Sequence, residues 1–582
     1  MRLRGGPGEL LTGRNLAWIA IGLAALAWAG LSAEAQSWTT DDAFISFRYA
    51  RNLVDGLGLV FNEGERVEGY SNFLWTLWSG AGLALGFRAE GWANAWGLVC
   101  YLATIVVLLV RHPEDDRIFA GRSFWLPVAA LGAALHEDWI VWATSGLETP
   151  LFTLLLTSAF VVAIRAMDRC DPHPGRWVAT GALAGLAALT RPDGVLPAFV
   201  IGFAVLVWGR PRLQAASLYA MAFLALWLPL VLWRVSYYGD LFPNTYYAKS
   251  AWIPWYEQGW HYAVLFFERY WPLLAGPALL VAVVALRTRG RAASAEATDV
   301  RATRRVVLAI AIAGIYTWFV IRVGGDFMFA RLLVPVVPFF LLVLEYGLMS
   351  AFRRRPLYGR VAALVLLAGI ALTPPPVTGE RWSHGIANER MYYSEERIAG
   401  LDHSAEVLGR YFEGLPVRVA FYGDEARIVY KAGFPVAIES HAGLTDRQVA
   451  HQELSRRGRV GHEKHASTEY LIETRAAHFT FSEVPGRLLR LNDWIPEIVV
   501  RFDDETYGRV LHWDPAMMEA LRGRGVEVPD FLGAVDDAIQ RLEQMPKRQV
   551  ALIYERLKRF YFMHNDDPQR QSAFLSRLGD AD

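Results

Sequence analysis

Cysteine and charged residues are scarce in this chain. Its 582 residues include two cysteines, neither of them beyond Cys170, so a disulfide framework is excluded. Charged residues make up only 20% of the chain and hydrophobic residues 53%, with a mean hydropathy of +0.21, which excludes an ordinary cytosolic enzyme. Lys and Arg together number 58, as do Asp and Glu, so no excess of positive charge indicates a nucleic-acid-binding protein.

Sequence motifs for nucleotides and for catalytic zinc are also missing. The glycines between 80 and 86 lie in an apolar run and no Gly-Lys-Ser/Thr follows them, so a P-loop is not supported. In the segment Gly461–His465 the two histidines stand three residues apart rather than four, which does not match the zinc-protease motif. A divalent metal is compatible with the sequence, but no residue pattern indicates one, and no cofactor is predicted.

Charge and hydrophobicity are unevenly distributed along the chain. The 209 residues from Pro374 onward contain 60 of the 116 charged residues. Before Pro374, apolar runs alternate with polar segments, and each run approaches the roughly 20 residues that a helix needs to cross a bilayer. About twelve such runs begin near Leu16, Leu74, Trp92, Phe124, Leu151, Val178, Leu196, Ala215, Ala263, Val306, Phe329 and Val361. The sequence therefore predicts a transmembrane module, residues 1–373, followed by a soluble domain, residues 374–582.

Basic residues and prolines predict the orientation of these helices. The first run follows Arg2, Arg4 and Arg14, which favours a retained anchor with a cytoplasmic N terminus. The prolines at 374–376 end the last run, and the charged domain is expected on the outer side. Because this arrangement needs an odd number of crossings, we expect about 11 transmembrane helices, with the short run at 74–87 not crossing.

Short β-like runs alternate with helical runs in residues 374–582. The β-like runs are Val417–Tyr422, Val436–Glu439, Phe479–Ser482 and Glu497–Phe502. The helical runs include Leu401–Tyr411 and Pro546–His564. This alternation predicts a mixed α/β domain, which a hydrophobic core must stabilise because the domain has no cysteine.

Two adjacent carboxylates, Asp41 and Asp42, follow the first apolar run at the predicted outer face of the membrane. They begin an amphipathic stretch that is expected to lie along the interface. Either Thr40 or Asp41 is suited to cap this helix. A cap needs only one such side chain, however, so the second carboxylate is a candidate general base or a ligand for a substrate hydroxyl.

Cations stand near the ends of several predicted spans on the same outer side. They are Arg191, Lys249 and Arg331. Arg and Lys are chemically suited to pair with phosphate, and aromatic residues adjoin Lys249. The alternative is that these long side chains reach the membrane interface without binding a ligand.

Several motifs together resemble a known family. They are TDDAFISFRY at 40–49, GLVFN at 58–62, GERVEGYSN at 64–72, SGLETPLF at 145–152, TRPDG at 190–194, PNTYYAK at 243–249, GGDFMFAR at 324–331, GLTDRQVAH at 443–451 and GRVGHEK at 458–464. In these motifs the chain resembles the mycobacterial terminal β-(1→2)-arabinofuranosyltransferases and their bacterial relatives. The resemblance extends from about Thr40 to Arg475.

The resemblance implies an α-helical polytopic membrane protein of the GT-C type, with a C-terminal mixed α/β extracytoplasmic domain. Such glycosyltransferases take a sugar from a polyprenyl-phosphate donor, here of the decaprenyl or undecaprenyl type, outside the bacterial cytoplasmic membrane. Arabinofuranose is the expected sugar, and an oligosaccharide of the cell envelope is the expected acceptor. Relatives outside mycobacteria transfer other pentoses or hexoses in some cases, and both a retaining and an inverting outcome stay open.

The resemblance also implies roles for individual residues. Asp41 and Asp42 correspond to the acidic pair of the family and are expected to be catalytic. Four cations are candidates for binding the donor phosphate: Arg48, Arg191, Lys249 and Arg331. Six residues are expected to bind the acceptor: Glu148, Tyr246, His441, Asp446, His462 and Lys464. The alternative for the last four is that they form turns and caps within an α/β domain.

Two other classes of function compete with a glycosyltransferase. A transporter or a flippase of lipid-linked glycans predicts ionisable residues in mid-membrane and paired broken helices, and His136, Glu137 and Asp138 are the candidate residues for such a site. A membrane-anchored binding protein would act through its C-terminal domain. In that case Asp41 and Asp42 are dispensable.

Overall fold

A computed structural model describes residues 13–110, 126–169, 172–289, 300–378, 382–423, 425–481 and 498–579. The chain divides into two compact units. The first unit takes its residues from Met1–Ala43, Ser71–Leu241 and Ala251–Tyr392, and the second from Phe44–Tyr70, Phe242–Ser250 and Tyr393–Asp582.

The first unit is helical. Its α-helices are Gly13–Ala35, Phe73–Ala84, Ala89–Val110, Val128–Leu135, Glu137–Ala143, Thr149–Met167, Gly175–Thr190, Val195–Trp208, Arg212–Tyr238, Tyr256–Arg269, Pro272–Arg289, Val300–Arg322, Val337–Ala351, Pro356–Leu372 and Glu389–Tyr392. The helix Asp41–Val54 begins in this unit, and the boundary after Ala43 falls within its first turn.

Among the described residues, six helices are long and apolar enough to cross a membrane. They are Ala17–Ala35, Ala89–Val110, Thr149–Met167, Arg212–Tyr238, Arg301–Arg322 and Val334–Ala351. A seventh span results if Tyr256–Arg269 and Pro272–Ala285, which meet at 88°, count as one. The chain is therefore a multi-pass membrane protein, but the predicted count of about 11 helices is not confirmed.

Fewer helices qualify as membrane spans than the sequence predicts, because hydropathy along a sequence does not show where each helix begins and ends. The run at 74–87, which we expected not to cross, forms the helix Phe73–Ala84 of only 12 residues. The run predicted from Phe124 begins outside the described residues, and its described part is interrupted at His136, between Val128–Leu135 and Glu137–Ala143. Each of these helices is shorter than the hydrocarbon core of a bilayer requires.

The helices of the first unit differ in burial. Thr149–Met167 and Val334–Ala351 lie mostly inside the unit, whereas Arg212–Tyr238 exposes most of its apolar surface, as a helix in contact with lipid does. Packing is closest at Gly259, where an added Cβ would lie 1.8 Å from the carbonyl oxygen of Ile321. Glycine therefore lets the backbones of two helices touch at this point.

The second unit contains a five-stranded sheet with the order β2-β1-β3-β5-β4. Its strands are β1 Arg418–Phe421, β2 Val436–Glu439, β3 Phe479–Thr480, β4 Val499–Arg501 and β5 Tyr507–Val510. β1 is parallel to β2 and β3, and β5 is antiparallel to β3 and β4. The α-helices that belong wholly to this unit are Asn244–Ala248, Glu395–Phe412, Ala426–Ala432, Arg447–Ala450, Pro515–Gly523, Phe531–Gln540, Lys547–Leu557 and Pro568–Leu578.

Two segments from the first 373 residues pack into the second unit. In the segment Phe44–Tyr70, the Asn62 side chain exchanges two hydrogen bonds of 2.9 Å with the backbone of Ala437 in β2. In the segment Phe242–Ser250, the Asn244 side chain donates to the carbonyl of Leu444 at 2.8 Å. Sequence analysis assigned both segments to residues 1–373, and the division into residues 1–373 and 374–582 stays a prediction.

Candidate active site

The two adjacent carboxylates occupy the first turn of the helix Asp41–Val54, where the helix dipole favours negative charge. The preceding residue, Thr40, donates its backbone N–H to the carbonyl of Ser145 at 3.0 Å. Two of the sequence motifs, TDDAFISFRY and SGLETPLF, therefore meet at the start of this helix.

Burial distinguishes the two carboxylates. Asp41 is only 4% exposed, whereas the side chain of Asp42 is 32% exposed and its Oδ2 lies 3.7 Å from a guanidinium nitrogen of Arg331. Asp42 is thus the member of the pair that a substrate in solution or at the membrane surface can reach.

Arg331 is held by a second carboxylate. Its Nε donates to Asp326 at 2.6 Å, so one guanidinium is shared between Asp326 and Asp42. Burial opposes the charge on Arg331, but Asp326 first and then Asp42 more than offset this effect, and the pKa of Arg331 is raised above its ordinary value. The cation predicted to bind the donor phosphate therefore lies beside the predicted catalytic pair and stays charged.

A second buried ion-pair network lies in the same unit. Arg191 donates to Glu148 at 3.0 Å and to Asp193 at 2.9 Å. Asn72 donates to the other oxygen of Glu148 at 3.0 Å, and the Tyr316 hydroxyl donates to Asp193 at 2.6 Å. Arg191, a predicted phosphate ligand, and Glu148, a predicted acceptor ligand, are therefore partners of each other.

The charges of these two networks interact. Burial lowers the pKa of Arg191 less than Asp193 and Glu148 raise it, so its pKa lies well above the ordinary value. Glu148 and Arg191 also influence the pKa of Arg331, in opposite directions. Two arginines and several carboxylates therefore form one electrostatic cluster around the start of the helix Asp41–Val54.

A buried tyrosine fixes the loop that carries Arg331. The Tyr262 hydroxyl donates to the carbonyl of Met328 at 3.1 Å and accepts the backbone N–H of Leu332 at 3.2 Å. The indole of Trp142 donates to the carbonyl of Phe329 at 3.1 Å. These three bonds hold both sides of the loop, and thereby the position of Arg331.

Arg48 belongs to the second unit, and its guanidinium donates hydrogen bonds to three residues of that unit. It donates to the carbonyl of Phe61 at 2.7 Å and to that of Pro435 at 3.3 Å, and also to the Asn62 side chain at 3.2 Å. Burial first, and then Arg51, lower the pKa of Arg48 to about 9. These contacts stabilise the second unit, and the role of Arg48 in donor binding stays a prediction.

Asp446 makes the contacts of a helix cap, and Lys464 makes a contact that links two segments of the second unit. Asp446 accepts the N–H of Val449 at the start of the helix Arg447–Ala450 and forms an ion pair with Arg475 at 3.3 Å. Lys464 donates to the carbonyl of Tyr247 at 2.8 Å. Their predicted role in acceptor binding is not tested by these contacts.

The other predicted residues of the second unit lie among aromatic rings. Tyr246 stacks on Phe242, with ring centroids 4.4 Å apart. His441 stacks on Tyr422 at 3.9 Å, and the His462 ring is 4.8 Å from that of His441. The side chain of Lys249 passes over Gly461, next to His462. Lys249, a predicted phosphate ligand, therefore lies near His462, and His462 lies beside His441; both histidines are predicted acceptor ligands.

Metal binding was left open by the sequence. Within the part of the chain that the structure describes, no group of three or more His, Cys, Asp or Glu side chains is arranged to hold a metal ion.

Two curated proteins are similar to this chain in sequence. The terminal β-(1→2)-arabinofuranosyltransferase of Corynebacterium glutamicum is 29% identical over 427 residues, which cover 68% of this chain and 60% of that protein. The enzyme of the same name from Mycobacterium tuberculosis is 26% identical over 560 residues, 81% of this chain and 87% of that protein. The resemblance to these arabinofuranosyltransferases therefore extends over more than two thirds of the chain. No family model matches the sequence.

The resemblance to the arabinofuranosyltransferases, predicted from short motifs, is thus confirmed, and both relatives are glycosyltransferases by name. The alignment spans less than two thirds of the corynebacterial protein, at 60% of its length. The sugar and the acceptor of the present protein are therefore treated below as proposals.

Two solved structures share the fold. ArnT from Cupriavidus metallidurans in the apo state has a TM-score of 0.53 at 15% identity, covering 85% of this chain and 98% of that one. The same protein bound to undecaprenyl phosphate has a TM-score of 0.50 at 15% identity, covering 74% and 87%. The arabinofuranosyltransferase relative described here therefore has the GT-C-type fold of ArnT.

Sequence reasoning missed three residues that complete the cluster. Asp193 and Asp326 neutralise the two arginines, and Tyr262 fixes the loop of Arg331. Both carboxylates are present in quoted motifs, TRPDG and GGDFMFAR, so an arginine close to an aspartate in one motif was an available signal. Tyr262 lies in an apolar helix and offered no such signal.

Proposed function

We propose that the protein transfers a sugar, arabinofuranose in the first instance, from a polyprenyl-phosphate donor to a hydroxyl of a cell-envelope glycan. The transfer takes place at the outer face of the bacterial cytoplasmic membrane, with the N terminus inside and residues 374–582 outside. The observation that carries this proposal is Asp42, an accessible carboxylate next to the charged guanidinium of Arg331.

In this proposal Asp42 is the general base and Arg331 stabilises the leaving group. The acceptor oxygen forms a bond to the anomeric carbon while the bond from that carbon to the phosphate oxygen breaks. The hydroxyl proton passes to Asp42, and the electron pair leaves with the polyprenyl phosphate. Arg331 is positively charged and oriented by Asp326, so it is suited to stabilise the charge on that phosphate.

The donor class is supported by the structural relative. ArnT, which shares the fold, has been solved with undecaprenyl phosphate bound. A polyprenyl phosphate is anionic, and the buried arginines of the first unit provide the opposite charge close to Asp42.

The decisive experiment uses purified full-length protein in lipid nanodiscs. Synthetic polyprenyl-phosphate arabinofuranose and matching hexose donors are offered with an oligosaccharide acceptor, and NMR of the product identifies the sugar and the linkage. We expect transfer from the arabinofuranose donor. The single displacement by one general base predicts inversion at the anomeric carbon, and a product with retained configuration would contradict that step.

A second candidate function, translocation of a lipid-linked glycan, is favoured by one observation. Asp138 and Arg269 form a buried ion pair at 2.8 Å. This pair lies where one helix is broken at His136 and where the helices Tyr256–Arg269 and Pro272–Ala285 meet at 88°. Buried charges at paired helix breaks are typical of transporters. Absence of transfer with every donor, combined with net lipid movement across vesicle membranes, would replace the first proposal by this one.

The loop of Arg331 provides a specific test of the glycosyltransferase proposal. We expect Tyr262→Phe to lower the transfer rate about tenfold, because the Met328 carbonyl and the Leu332 N–H lose their shared partner, a loss worth roughly 1–3 kcal/mol. Initial rates at saturating donor measure the effect.

The matched control is Tyr219→Phe. Tyr219 is also a buried tyrosine of the first unit whose hydroxyl donates to a backbone carbonyl, that of Ala198. Equal losses of rate in the two variants would show that any buried tyrosine hydroxyl matters and that the loop of Arg331 has no special role.

A further inference from the structure

A group of rings in the second unit, comprising Tyr422, His441, His462 and His465 and called here the histidine cluster, has no part in the proposed reaction. Its position is set by Glu439 at the end of β2. The Glu439 carboxylate accepts backbone N–H groups from the loop that follows the strand, among them those of His441 at 3.1 Å and Leu444 at 2.6 Å. These bonds hold the loop, and with it the ring of His441.

Three rings of the histidine cluster form a stack, with His441 between Tyr422 and His465. Tyr422 and His441 are stacked at 3.9 Å and 10°, and His441 and His465 at 4.8 Å and 18°. His441 is 9% exposed, and its Nδ1 is buried without a hydrogen-bond partner. His465, at the other end, is exposed. A buried polar nitrogen without a partner is costly unless a ligand or water satisfies it.

Positive or titratable groups surround His441. Burial first, and then His462, His465 and Arg459, lower the pKa of His441 to about 2. Glu439, two residues before His441, accepts backbone N–H groups, and Glu463, next to His462, pairs with Arg457 at 2.9 Å, so both carboxylates have other partners. The surroundings of His441 therefore favour an anion as the missing partner.

Lys249 adds a further cation to this region. A Cβ on Gly461 would lie 3.4 Å from Lys249 Cε, so the lysine stem passes directly over the residue that precedes His462. Gly461 has a φ of +75°, a conformation that glycine adopts without strain. The motif GRVGHEK thus allows both the turn and the close approach of the lysine.

We propose that the histidine cluster, together with Arg459 and Lys249, binds a phosphate group. Phosphate is the ligand class because guanidinium and ammonium groups bind its oxygens and a neutral imidazole donates an N–H to them. A metal ion does not suit the site, since rings stacked at 10° and 18° cannot direct their lone pairs to one point and two permanent cations would repel the ion. The phosphate of the polyprenyl carrier is one source of this group, and free phosphate is the other. The assignment of the phosphate to the polyprenyl carrier rests on the proposed function.

The test measures binding rather than sugar transfer. Purified full-length protein in nanodiscs is titrated with inorganic phosphate and, separately, with a short-chain prenyl phosphate, by calorimetry at pH 7.5 and pH 6.0. We expect His441→Phe to weaken binding of both probes about tenfold or more, as loss of a charge-assisted hydrogen bond would. Because burial and the neighbouring cations lower the pKa of His441 to about 2, this ring stays neutral at both pH values and should bind phosphate equally well at each as an N–H donor.

Further variants keep the test decisive if His441→Phe fails to fold. Lys249→Met and His462→Gln change partly exposed side chains and should weaken phosphate binding as well. His403→Gln is the control, because His403 is a half-exposed histidine of the same unit that pairs with Asp503. Tighter binding of prenyl phosphate than of inorganic phosphate identifies the carrier as the source, and equal binding identifies free phosphate.

Unchanged phosphate affinity in the Lys249, His441 and His462 variants would overturn the proposal, as would binding of Zn²⁺ that excludes phosphate. Failure of this proposal is distinguishable from failure of the proposed function. If the histidine cluster binds no phosphate, the protein still transfers sugar through Asp42. If there is no sugar transfer, the phosphate titration can still be carried out.

Discussion

Asp42→Asn is expected to reduce sugar transfer by about 10³-fold, within the range that removal of a general base produces. The neutral amide cannot accept the proton of the acceptor hydroxyl. Because the Asp42 side chain is 32% exposed and its cationic neighbour Arg331 is also bound by Asp326, the variant should fold with nearly unchanged stability. Initial rates and a thermal unfolding curve, measured on the same nanodisc preparation, test both expectations.

Two comparison variants sharpen this prediction. Asp41→Asn alters a carboxylate that is only 4% exposed, so it should lower both transfer and stability. Asp55→Asn makes the same chemical change at an exposed position just after the same helix and should leave both unchanged. Full transfer by both Asp41→Asn and Asp42→Asn would contradict a catalytic role for the acidic pair.

Arg269→Leu is expected to destabilise the first unit by about 3–5 kcal/mol, because it leaves a buried carboxylate without its cation. Arg269 donates to Asp138 at 2.8 Å and also to Glu137. The Asp138 oxygen that binds Arg269 also accepts the Tyr270 hydroxyl at 2.6 Å. One hydroxyl cannot replace the charge that the substitution removes. Unfolding in mixed detergent micelles gives the change in free energy.

The double variant Asp138→Leu/Arg269→Met provides the control. With both charges removed and apolar side chains in their place, it should be more stable than Arg269→Leu alone. If the double variant instead shows the sum of the two single losses, the ion pair contributes no coupling and the prediction is wrong. A further variant, Asp138→Asn, tests the transporter alternative, which requires this change to abolish lipid movement in vesicles.

The acidic pair illustrates what sequence reasoning can reach. Asp41 and Asp42 follow an apolar run and precede an amphipathic stretch, and local periodicity predicts this placement correctly at the first turn of a helix. Their unequal burial was not predictable, because the surroundings of this turn include residues as distant along the chain as Ser145 and Arg331. Neighbours in sequence therefore identified the carboxylates, and distant residues distinguish them.

The predicted cations show the same limit. Charge and position near predicted span ends group Arg191 and Arg331, and the resemblance to the family adds Arg48. In the structure Arg48 binds backbone carbonyls, Arg191 pairs with Glu148 and Asp193, and Arg331 is shared between two aspartates. Asp193 and Asp326 lie in the same motifs as their arginines, whereas the packing of separate helices and loops brings Glu148 to Arg191 and Asp42 to Arg331, and no local pattern encodes these distant pairs.

The sequence by itself determined that this is a multi-pass membrane protein, where its acidic pair lies and which family it resembles. Apolar run length, charge distribution and short motifs are local properties of the chain. Whether a run enters lipid or stays in water depends on its own length and composition. The tertiary structure decided which apolar runs form full-length helices, which segments join the second unit and which charges become partners. These outcomes depend on helix breaks such as His136 and on close approaches such as that of Gly259 to Ile321, because burial and ion pairing require groups that are remote in sequence to meet.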